Sequence, residues 1–223
     1  MNSTSGSQLN RLAGMALMGG AALAIFFMMY HPSTSSHELG AALGEMRDEG
    51  AVSAWVHGML ILVMVGIWFG TYGFTRRLGA ERTLPVLGFM LFGLGTLAYC
   101  LAAMVSGFIV PEIGTSYADV SPDQLETARG LLHISGIANQ AFARAGLIGT
   151  SLGIVVWSLA LITRASIVRF VGIFGLAVGL LPAVLLLTGH LTLHLAGMTG
   201  VVVANGTWYM LIGYLMIWGP LKK

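Results

Sequence analysis

Apolar residues run in six long stretches along the chain, at 12–30, 52–74, 84–110, 145–162, 167–188 and 200–218. Each is close to the ~20 residues that an α-helix needs to cross the hydrocarbon core of a bilayer. Polar residues collect between them. The pattern predicts an all-α integral membrane protein, a bundle of six transmembrane helices forming one polytopic domain over residues 1–223. The first stretch reads as a retained helix rather than a signal peptide. Its apolar run is too long, and the HPSTSSHE that follows lacks a small-residue cleavage pattern.

The connections alternate in length. TRRLGAERT and TRAS are short, whereas the segments beginning HPSTSSHE and PEIGTSY are long and carry helix signals of their own. Ser36 is a plausible cap for a short helix in the first. In the second, Ser121 caps, Pro122 opens a helix and Gln124 completes a capping box, so that helix can run on into the fourth span. Small residues let helix backbones approach in lipid. The Gly66/Gly70 and Gly175/Gly179 pairs therefore read as internal packing positions rather than a dimer seam.

Charge orients the bundle. If the short connections are cytoplasmic, that side holds Arg11, Arg76, Arg77, Arg82, Arg164, Arg169, Lys222 and Lys223, eight of the eleven Lys and Arg residues. Of the nine acids, only Glu81 joins them. Basic residues concentrate on the cytoplasmic side of membrane proteins, so both termini are expected there, with structured outer loops on the far side. Charged residues make up 9% of the chain, against about 25% in soluble domains. That deficit makes a lipid bilayer the main partner and gives no reason to expect nucleic acid. Small size and composition suggest a bacterial inner membrane. The single cysteine, Cys100, forms no intrachain disulfide and no cysteine-built metal cage, and reads as a small packing residue.

The candidate chemistry lies at one end. All six histidines, His31, His37, His57, His133, His190 and His194, fall at or near the outer face. His31 and His37 read as solvated loop residues. His57, in SAWVHGML, is polar at membrane depth, where such groups are costly unless partnered, and Asn205 is its expected partner. His190 and His194, if helical, project from one face and can share a metal. Imidazole suits zinc, copper, iron and nickel.

The leading reading is therefore a transition-metal (zinc or copper) or haem site near the periplasmic face. His57, His190 and His194 are its central ligands, with His133 as a further one and a carboxylate from Glu112, Glu126 or Asp48. For haem, His57 would pair with His133, His190 or His194 across one iron. The 13 methionines read as adaptable packing rather than a copper relay. A second signal is a stripe: His133, Gln140 and Arg144 share one helical face to within roughly 40°. This suggests a polar cavity, although Arg144 can equally reach the outer headgroups. A small transporter or an accessory subunit of a membrane complex, without metal, is the non-catalytic alternative.

Glu49, Ser53 and His57 form E-xxx-S-xxx-H, with H-xxx-H downstream at His190 and His194. The combination resembles the zinc-site pattern of the alkaline ceramidase and adiponectin-receptor superfamily of membrane hydrolases. It covers these short motifs only, and the third span supplies no aspartate. What the resemblance implies is a zinc-dependent hydrolase of lipid amides or esters, with Ser53 beside a metal-bound water.

Overall fold

The computed structural model describes residues 3–32, 36, 38–164 and 166–222. His37 lies outside them. Among the described residues there are eight α-helices: α1 (Ser3–Met29), α2 (Leu39–Asp48), α3 (Gly50–Gly79), α4 (Thr83–Met104), α5 (Val110–Tyr117), α6 (Pro122–Ile162), α7 (Ser166–Leu187) and α8 (Leu195–Ile217). A π-helical turn, Val105–Ile109, joins α4 to α5. Six segments are long and apolar enough to cross a membrane, so the protein is an all-α integral membrane protein. Its outward surface agrees: Leu62, Leu94 and Phe170 are each more than 60% exposed. Side chains of that kind face lipid, whereas a water-facing surface rarely carries them contiguously.

The six long helices form a closed ring in chain order, with α1 packed on α3, α3 on α4, α4 on α6, α6 on α7, and α8 returning to α1. The α4–α6 seam is the tightest. A Cβ on Gly149 would stand 2.7 Å from the Cα of Gly95, so the two backbones touch there. Larger side chains fit around that crossing. Tyr99 seats on Gly146, Phe92 on Gly153 and Trp157 on Gly88. Of the glycines singled out by spacing, Gly70, Gly175 and Gly179 pack internally, while Gly66 faces open space.

The ring is solid at its arginine end. Trp157 and Trp208 stack at 6.3 Å, and Phe74 meets both edge-on. Both indoles are fully buried, and each donates its N–H to a backbone carbonyl, of Pro85 and Val171 respectively. At the histidine end, α2, α5 and the first turns of α6 close over a small core of Leu43, Ile113 and Ala128.

Several local expectations are modified. The expected helix at Pro122 does run through the fourth span as a single 41-residue element, with Gln124 reaching back to the N–H of Ser121. At about 1.5 Å per residue it is some 60 Å long, twice the hydrocarbon thickness, so its first half stands outside the membrane. Ser36 is not the cap of α2. Its hydroxyl binds the Glu45 carboxylate instead, and the Glu38 side chain caps by accepting from the N–H groups of Gly40 and Ala41. The third hydrophobic stretch continues past Pro111. Proline has no N–H to donate and crowds the preceding turn, and the π-turn is the local widening that accommodates it.

Candidate functional site

His57 projects inward from the second turn of α3 and is 3% exposed. Its Nδ1 lies 2.8 Å from the carbonyl oxygen of Ser53, one turn back. A carbonyl only accepts, so Nδ1 carries the proton and Nε2 carries a free lone pair. His31, just beyond α1, is held the same way, with Nδ1 2.9 Å from the Pro32 carbonyl. The two rings meet edge to face with centroids 4.7 Å apart. Beneath them, the π-turn presents Gly107, whose missing Cβ is the space that His57 occupies. The same turn lets the Ser106 carbonyl accept from the Ser53 hydroxyl at 3.3 Å, while the Ser106 hydroxyl accepts from the Asn139 amide at 2.8 Å.

This group forms the neck between two cavities. Outside it lies a vestibule of about 250 Å³, lined by Met46, Glu49, Ser53 and Pro111 together with the neck residues. Inside lies a chamber of about 320 Å³ that reaches down to Ile67, Phe92 and Tyr209, the upper edge of the aromatic plug. From His57 to Ile67 is ten residues, or roughly 15 Å along α3. The chamber wall is alanine, leucine, methionine and valine, with no Asp, Glu, Lys or Arg among the described lining residues. One polar atom in that wall, the Asn205 Oδ1, is buried without a partner, while the Tyr99 hydroxyl lies beside that of Thr150. Gln140 also lines the chamber and donates to the Leu193 carbonyl at 3.4 Å.

The expected ligand set does not assemble around this neck. His190 and His194 are not on a helix. Gly189, at φ +77°, ends α7, and the N–H groups of His190 and Leu191 fold back onto the Leu185 carbonyl. His194 is the extended residue that opens α8. Both imidazoles are exposed, and neither lines a cavity that His57 lines. His133 is exposed on the protruding half of α6, where no neighbouring helix covers that face. Glu112 is exposed on α5, Glu126 pairs with Arg129, and Asp48 pairs with Arg47. No group of three or more His, Cys, Asp or Glu residues among the described residues is placed to hold a metal.

The stripe on α6 divides in the same way. Gln140 faces the chamber, and Arg144 is exposed on the outer surface. Asn205 is buried and lines the chamber, but it is not the partner of His57, whose proton goes to Ser53. Ser53 lies 3.4 Å from Nδ1, a nitrogen that already donates elsewhere, so His57 does not act as its general base.

Sequence reasoning set aside His31 as solvated, and it passed over Asn139, Ser106 and Tyr99. Asn139 carried a signal that went unused: with Gln140 it forms the only adjacent pair of amide side chains in the chain. The others meet the site only through packing between helices distant in sequence.

Fold and site together define an integral membrane protein with an apolar chamber beside a histidine-lined neck. No family model matches the chain, and neither does any curated protein or solved structure.

Proposed function

We propose that this is a membrane binding protein that takes a small, uncharged, lipophilic molecule bearing a hydroxyl group into its chamber. It sits in a bacterial inner membrane with the histidine end toward the periplasm and both termini in the cytoplasm. The arginine-rich opposite end supports that orientation. One observation carries the reading: an uncharged, apolar chamber of about 320 Å³ whose wall contains the unpartnered Asn205 Oδ1. That volume is at the small end of ligand sites, and such sites are apolar with a few placed polar groups.

The polar inventory narrows the ligand. Asn205 Oδ1 is an acceptor, and the Tyr99 hydroxyl can donate or accept. A ligand hydroxyl supplies the missing donor. A carboxylate would meet acceptors with no cation beside them, and burying an unpaired charge is far costlier than burying a neutral group. The test is a matched pair of probes, 1-naphthol and 1-naphthoate, titrated into protein in mild detergent. Saturable binding of one naphthol per chain, at least tenfold tighter than naphthoate, is expected. Equal binding of the two, or tighter naphthoate, would overturn the reading.

A further inference from the structure

We infer that His31 and His57 form one corner of a binding site for monovalent copper at the neck of the chamber, a site separate from the lipophilic ligand and independent of it. Both rings already have the arrangement that metal-ligating imidazoles adopt: Nδ1–H is tied to a backbone carbonyl, and Nε2 is left as the donor atom.

The spacing excludes a linear arrangement of the two rings about one ion. With metal–nitrogen bonds of about 2.0 Å, each ring centroid stands about 3.1 Å from the ion. Two imidazoles on opposite sides of one ion then have centroids about 6 Å apart, and at a tetrahedral angle about 5 Å apart. The observed 4.7 Å lies between the values for a right angle, about 4.4 Å, and for a tetrahedral one, and is too short for the two axial positions of a haem.

Charge selects the ion. The site offers neutral ligands only. The vestibule carboxylate, Glu49, is exposed and does not join the two imidazoles in a three-ligand group. A divalent ion without an anionic ligand carries a larger desolvation cost than a monovalent one. Met28, three residues before His31, is buried and lines the chamber with both rings, offering a thioether of the kind that selects Cu(I).

The experiment loads the full chain in detergent with Cu⁺ under anaerobic, reducing conditions against a chromogenic chelator, and with Zn²⁺ in a parallel arm. One Cu⁺ per chain is expected, with affinity falling at least tenfold in His31→Gln and in His57→Gln. The double variant His190→Gln, His194→Gln is expected to bind as the parent does. X-ray absorption should show nitrogen at about 2.0 Å, plus a sulfur contribution that disappears in Met28→Leu. If His57→Gln loses its helical circular dichroism, His31→Gln decides, because that half-buried ring lies beyond the end of α1. Unchanged Cu⁺ affinity in His31→Gln, preference for Zn²⁺, or no Cu⁺ retained against the chelator would each overturn the inference. 1-Naphthol binding in the same samples reports on the chamber separately.

Discussion

Asn205 shows what a single side chain contributes to the chamber. Its amide oxygen is buried with no donor opposite, and such a group costs about 1–3 kcal/mol. Asn205→Leu is therefore expected to raise stability by about 1 kcal/mol in chemical unfolding. The same change is expected to weaken 1-naphthol binding about fivefold, the gain and the loss having one cause. Gly107 works in the opposite sense. Any Cβ there collides with the Cβ of His57, so Gly107→Ala is expected to destabilise by about 1–3 kcal/mol and to disorganise the neck. Thermal unfolding and Cu⁺ titration of that variant check both effects. At this scale the sequence was informative about His57, because an imidazole flanked by apolar residues inside a span needs an inward partner. It was uninformative about His31, whose meeting with His57 depends on where α1 ends against α3.

Among the elements, α4 and α6 depend most on small residues. Gly95→Leu places a side chain against the α6 backbone and is expected to cost at least about 2 kcal/mol, measurable as a lower midpoint in detergent unfolding. Helix α2 carries a pH dependence. The N–H groups of Ala41 and Gly40 hold the Glu38 carboxyl below its ordinary 4.5. A carboxyl depressed in the folded state stabilises above its unfolded value and loses that contribution as pH falls through the lower, folded value. The protection of α2 amides against hydrogen exchange, corrected for the intrinsic rate at each pH, is therefore expected to fall on acidification below about 4.5 in the parent. In Glu38→Gln it should change little over the same range. The six spanning helices were legible, since hydropathy over 20 residues reports lipid directly, and the α6 start was legible in Ser121, Pro122 and Gln124, whereas α5 was not. The extended 190–193 connection was signalled by Gly189 but overridden by the appeal of the His190/His194 spacing. The choice of Glu38 over Ser36 as cap was hidden, because it turns on Glu45 capturing the serine hydroxyl.

The whole molecule divides into a solid half and a hollow half. Aromatic side chains fill the ring at the arginine end, and short side chains leave the chamber open at the histidine end. No local pattern announces this, because the chamber is bounded by five helices whose facing residues are far apart in sequence. Arg144, on the outer surface of that half, is expected to be dispensable: Arg144→Ala should leave 1-naphthol affinity within about twofold, as surface changes away from a site do. The chamber itself is tested by filling it. Ala143 is buried in its wall, so Ala143→Leu adds bulk to existing space and leaves the ring intact. Calorimetric titration of 1-naphthol into the parent and Ala143→Leu proteins should give one site per chain in the parent and none in the variant, with both equally folded. Undiminished binding in a folded Ala143→Leu protein would contradict the account, because the ligand would then lie somewhere other than the chamber.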